Sequence, residues 1–202
     1  MIRATLTRRY QINTDQLTKL LQNLTEGTVT VEEALEKLRS LPYEDIGFAQ
    51  LDHHRELRTG LPEVVFGAGK TKDQIITITE KLASNSDRVL VTRVDKEVYE
   101  ELKIRIPDIE YDNDCQVAVL DRTKSSEELL PGVLIVTAGT SDLPVAKEAV
   151  LTTRIMGSEP DLLQDVGVAG IQRLLGRVNL LQSAKVIVVI AGMEGALTSV
   201  IA

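Results

Sequence analysis

From residue 63 onward the chain alternates short apolar runs with helical periodicities, and few folds accept that order. The runs are EVVF at 63–66, RVLVTR at 88–93, CQVAVL at 115–120, VLIVTAG at 133–139, a short strand at 161–166 and KVIVVIAG at 185–192. Helical patterns fill the gaps at 72–83, 95–105, 143–156 and 168–180. Strands that alternate with helices of this length predict an α/β fold with a parallel sheet and right-handed crossovers.

The rhythm pauses once. Residues 121–131, DRTKSSEELLP, combine charge, serine and proline, which makes them the linker candidate. The expected organisation is a helical N-terminal region with its connector over 1–60, a small α/β domain over 61–121, and a second, C-terminally incomplete α/β domain over 131–202. In the first region, Leu17, Leu20, Leu21 and Leu24 form one helical stripe, and Val31, Ala34, Leu35 and Leu38 form another. Gly27 separates the two, and Thr30 with Glu33 reads as a capping box. Residues 43–62 read as a polar connector. At the other end, GMEGALTSVIA starts an apolar helix and stops without a cap, so a truncated domain is the expectation.

Composition narrows the function classes. Against 23 Lys and Arg stand 30 Asp and Glu, a net charge of −7, so neither nucleic acid nor an anionic membrane surface is the expected partner. No apolar run approaches the about 20 residues of a membrane span. One cysteine, Cys115, permits no intrachain disulfide, and a cytoplasmic location is expected. The start, MIRATLTRRYQIN, is basic and lacks an apolar core, which excludes a secretory signal and leaves a solvated leader or a transit peptide.

Two motifs invite chemistry and do not hold it. GAGKTK at 67–72 resembles a phosphate loop, but the loop needs a further glycine where Val64 stands. His53 and His54 are adjacent, so they face different ways and do not readily share a metal; they read as a polar surface segment. Cys115 opens a strand and reads as a small core residue.

Three glycine turns carry more. Gly139-Thr140-Ser141-Asp142, Gly167-Val168-Ala169-Gly170 with Arg173, and Gly192-Met193-Glu194-Gly195 each follow a strand. Ligands of open α/β sheets bind outside the carboxyl ends of the strands, so all three turns are expected on one edge. Thr140 and Ser141 offer hydroxyls beside helix N-terminal amides, which suit a phosphate, and Arg173 adds a fork of donors. Asp142 and Glu194 are then two carboxylates near a bound anion, an arrangement suited to acid–base work.

These same stretches carry a resemblance. VTAGTSDLPVAKEA, DVGVAGIQRLL, VIVVIAGMEGALTSVIA and LPYEDIGFAQLDHHRELRTGLPEVVFGAGKT resemble the LarB carboxylase/hydrolase family of nickel-pincer nucleotide biosynthesis. Residues 131–202 are more distantly similar to the PurE family of aminoimidazole ribonucleotide carboxylases and mutases. The resemblance implies an incomplete flavodoxin-like, PurE-like sheet flanked by helices. It also implies carboxylation of the pyridinium ring of nicotinic acid adenine dinucleotide, with phosphoanhydride hydrolysis to AMP and a pyridinium biscarboxylate mononucleotide. CO2 or bicarbonate is the co-substrate, no tightly bound cofactor is implied, and a magnesium ion is compatible. A homo-oligomer, an octamer by family, is implied.

By motif position the resemblance gives nucleotide contacts to Gly139, Thr140, Ser141, Gly167, Gly170, Arg173, Gly192 and Met193, and catalytic roles to Asp142 and Glu194. Two departures stand out. The family has histidine where Gln172 stands. Its nucleophile is a cysteine in a later Asn-Ser-Cys-Ala-Ser segment that these 202 residues lack, and Cys115 is no substitute. The expected result is a chain inactive by itself. A PurE-type mutase and a non-catalytic nucleotide-binding subunit are the alternatives.

Overall fold

The structure is a computed structural model that describes residues 14–38, 44–53, 55, 61–123 and 128–202. Contacts divide the chain into two units, Met1–Glu63 and Val64–Ala202. His54 and the middle of the linker candidate, 124–127, lie outside the described residues.

In the first unit, helix α1 (Thr14–Thr25) and helix α2 (Val31–Leu38) form where the leucine periodicity places them. The capping box at the start of α2 is present: Thr30 N–H donates to Glu33 Oε2 at 2.9 Å, and Glu33 N–H donates to Thr30 Oγ1 at 3.1 Å. Part of the expected connector is a hairpin of β1 (Glu44–Asp45) and β2 (Gln50–Leu51), paired antiparallel. Gly47, at φ 90°, and an Asp45 Oδ1 acceptor 2.8 Å from Gly47 N close its turn.

The second unit opens with β3 (Val64–Phe66), α3 (Lys72–Ala83), β4 (Arg88–Thr92) and α4 (Lys96–Arg105). It continues with β5 (Glu110–Asp112) and β6 (Val117–Asp121). These strands form a sheet in the order β3-β4-β6-β5. β3 and β4 are parallel, as the rhythm predicts, but β6 is antiparallel to both β4 and β5. The expectation of a purely parallel sheet is corrected here. After α4 the chain first runs out along β5 and then turns back. Asp112 Oδ1 accepts from the N–H groups of Asp114, at 2.9 Å, and Cys115, at 3.2 Å, while Gln116 takes φ 55°. The sequence of β5, EYD, has no apolar run to reveal it. Tyr111 holds it instead, donating its hydroxyl to Val94 O at 2.8 Å and stacking on Tyr99.

The second sheet is parallel throughout. β7 (Leu130–Thr137) is central, with β8 (Ser158–Leu163) on one side and β9 (Val186–Ile190) on the other. Helix α5 (Leu143–Ile155) connects β7 to β8 and is shared between the sheets: its Leu151 and Ile155 pack with Leu90, Cys115 and Val117. The opposite face of β7, Leu134 and Val136, is covered by Leu174 and Leu197 from α6 (Ile171–Leu175) and α8 (Ala196–Ile201), together with α7 (Val178–Ser183). Fully buried side chains of this kind contribute about 1.5–3 kcal/mol each.

The helix expected over 168–180 is broken: a 3-10 turn over Val168–Gly170 precedes α6, and Gly176 ends α6 before α7 starts. The strand expected at 161–166 lies at 158–163, with Pro160 and Leu163 buried on its two faces and residues 164–166 in a loop. Among the described residues, no helix is long and apolar enough to cross a membrane.

Candidate functional site

Three parallel strands end together, so the turns that leave them share one edge. The turn after β8 is tied to β7: Val166 N–H donates to Thr137 O at 3.1 Å, and Gly167 N–H to Ala138 O at 2.8 Å. β9 is tied from the other side, with Ala138 N–H donating to Ile190 O at 3.1 Å. The two glycines have different reasons to be glycine. A Cβ at Gly167 would lie 2.7 Å from Ala138 O, so the close approach of the two turns requires its absence. A Cβ at Gly170 would lie 2.6 Å from Nε and Nη2 of Arg173, so that position leaves room for the arginine head.

The first turn folds as a 3-10 turn, Thr140–Asp142, feeding α5 with Pro144 in its first turn. Asp142 closes it: its Oδ2 accepts from Gly139 N–H at 2.8 Å. That carboxylate already serves the backbone. Thr140 and Ser141 are exposed, and among the described residues neither hydroxyl has a partner. The third turn is built from two left-handed residues, Met193 at φ 49° and Gly195 at φ 67°, closed by Gly195 N–H donating to Gly192 O at 3.2 Å. This conformation pushes Met193 almost entirely into solvent, at 97% exposure, and leaves Glu194 exposed beside it.

Arg173 is on the same edge, and its Nη1 donates to Asp165. Sequence reading passed over Asp165, and also over Thr137, a fully buried polar residue at the end of β7 whose Oγ1 accepts from Asp165 N–H at 3.2 Å. The signal for Thr137 was a polar residue closing an apolar run. Gln172, exposed on α6, sits one residue before Arg173. A cavity of about 250 Å³, lined by Pro131, Gly132, Leu134, Asp161, Leu180 and Lys185, lies toward the amino ends of the strands, away from these turns. The candidate site is therefore an open edge.

The phosphate-loop-like stretch and Cys115 have structural partners here. Gly67 is packed against Thr92 O and Arg93 O, each 2.7 Å from where a Cβ would stand, and Lys70 folds back to donate to Phe66 O at 2.8 Å. Thr71 and Gln74 cap α3 reciprocally. Cys115 is buried, and desolvation, reinforced by the Asp112 carboxylate, pushes its thiol from 9.0 up to about 12. A thiol held protonated in this way is not a nucleophile. In the first unit, His53 Nε2 lies 2.6 Å from Glu44 Oε2. Among the described residues, no group of three or more His, Cys, Asp or Glu is placed to hold a metal ion.

Comparison with known proteins gives two matches. Residues 43–122 match the LarB/PurE-like N-terminal domain. An uncharacterized protein of Methanocaldococcus jannaschii is 37% identical over 194 residues, covering 92% of this chain and 76% of that protein.

Proposed function

The chain belongs to the family of that Methanocaldococcus protein and carries the LarB/PurE-like N-terminal domain over 43–122, and from that premise we propose that it binds a pyridine nucleotide for carboxylation. The substrate class is nicotinic acid adenine dinucleotide, with CO2 or bicarbonate as co-substrate. The products are AMP and the pyridinium biscarboxylate mononucleotide. The observation that carries the reading is the convergence of the three turns at one carboxyl edge, with hydroxyls on Thr140 and Ser141 that have no partner among the described residues and Arg173 in the helix that follows the second turn.

Each residue has a role in this account. Thr140, Ser141 and Arg173 hold a phosphate, and the glycines let the backbone approach it. Asp142 shapes the first turn, and Glu194 moves a proton as the ring is carboxylated. The ring must be activated by a thiolate, as the resemblance implies, and Cys115 does not supply one: it is buried in the other sheet. Residues 1–202 alone therefore bind nucleotide without turning it over. Association with further copies, as the family resemblance implies, is part of the proposal. Val186 and Val188, on the same face of β9, are 54% and 37% exposed, which leaves an apolar strip of a parallel sheet open to a partner.

The test is to assay AMP release and ring carboxylation for this chain and for a version extended with a family C-terminal segment. Activity only in the longer chain is expected, and comparable activity in both sinks the account. Turnover of carboxyaminoimidazole ribonucleotide instead would favour a purine-type mutase.

A further inference from the structure

Asp165 sits where three independent constraints meet. Its backbone takes φ 56°, a left-handed conformation rare outside glycine, asparagine and aspartate. Its N–H donates to the buried Thr137 Oγ1 at 3.2 Å, and the next two N–H groups donate to Thr137 O and Ala138 O. Its carboxylate therefore projects from a loop pinned to the central strand. Oδ2 of that carboxylate accepts from Arg173 Nη1. The arginine head is confined on its other side as well, because its Nε and Nη2 occupy the space a Cβ at Gly170 would take.

An exposed ion pair contributes little by itself. Both side chains of this one are half exposed, but its carboxylate stands on a loop pinned to the central strand and its arginine head lies against Gly170, so part of the entropy of ordering a long, rotamer-rich side chain is spent before a ligand arrives. Only Nη1 is engaged by Asp165, and a guanidinium has five N–H donors. The remaining donors stay available to an anion at the carboxyl edge.

We propose that Asp165 is a positioning residue: it holds Arg173 over Gly170 in the orientation in which the guanidinium receives a substrate phosphate. This rests on the phosphate reading of the edge given above.

A double-mutant cycle tests it, with binding of nicotinic acid adenine dinucleotide to the whole chain measured by calorimetry and inorganic pyrophosphate as a second probe. Asp165→Asn keeps the shape and tolerates the left-handed backbone. Thermal melting of each variant verifies the fold. Asp165→Asn is expected to weaken binding roughly two- to tenfold, the effect of freeing one long side chain, and to change nothing in the Arg173→Ala background. A merely structural role would weaken both backgrounds alike, and that result overturns the proposal while leaving the phosphate reading in place. Tighter binding by Asp165→Asn also overturns it, because Asp165 would then compete with the phosphate. Gly170→Ala displaces the arginine head without removing it, so it should weaken binding by a similar factor; wild-type affinity there counts against the seat. If Arg173→Ala binds either probe as well as the wild type, or if the wild type binds neither, the phosphate reading fails and the positioning role with it.

Discussion

Two residues bear most directly on the chemistry proposed for this chain. Cys115 is 5% exposed, and burial beside Asp112 raises its thiol to about 12. It should resist alkylation at pH 8 in the folded chain and react at once on unfolding; fast labelling of the native chain would contradict the burial argument. The same shift sets a pH dependence. The unfolded thiol ionises from about pH 9, while the folded one keeps its proton, so the stability it contributes is present below pH 9 and is lost as pH rises toward 12. Denaturant melts across that range should show the decline, and Cys115→Ala should flatten it. Glu194 is the opposite case, an exposed carboxylate with no partner among the described residues. If the proposed carboxylation is measured in the C-terminally extended version, Glu194→Gln should lower turnover by about 10²–10⁴-fold with binding retained. Near-normal turnover would remove it from the mechanism. Both residues were legible in the sequence, Cys115 by its place at the start of an apolar run and Glu194 by its glycine turn. Asp165 was not, because its role depends on a contact with Arg173 across a loop that no local pattern encodes.

At the scale of elements, the parallel sheet could be read from apolar runs and their spacing: the central strand, buried on both faces from Leu134 to Val136, is continuous in Val, Ile and Leu, and the edge strand β9 is as apolar although its Val186 and Val188 face is exposed. VLIVT and VIVVI lie side by side, with Val133 opposite Val186 and Ile135 opposite Val188. The half-buried EYD strand could not be read, and missing it concealed the reversal of β6. The edge that gathers the three turns depends on strand order and on glycine packing. Gly167→Ala tests that dependence: its Cβ would meet a backbone oxygen at 2.7 Å, which no rotamer can relieve. Forcing an extra carbon into such a contact should cost about 1–3 kcal/mol, read as a lower denaturation midpoint, with weaker nucleotide binding. A variant as stable as the wild type would mean that the two turns are free to separate.

For the molecule as a whole, the uncovered strip on β9 predicts association. Sedimentation should show mass rising with concentration, and Val186→Lys should shift it toward the monomer without changing the melt, because Val186 is more than half exposed. A monomer at all concentrations would contradict this. The central claim is that nucleotide binds at the carboxyl edge of the β8-β7-β9 sheet. Backbone-amide NMR during titration with nicotinic acid adenine dinucleotide tests it most directly. The account predicts shifts clustered at 139–142, 167–173 and 192–195, with those shifts lost in Arg173→Ala, where binding falls by about 1.5–3 kcal/mol as for a lost charged hydrogen bond. Shifts confined to Gly67–Lys70, or to the cavity at the amino ends of the strands, would contradict it.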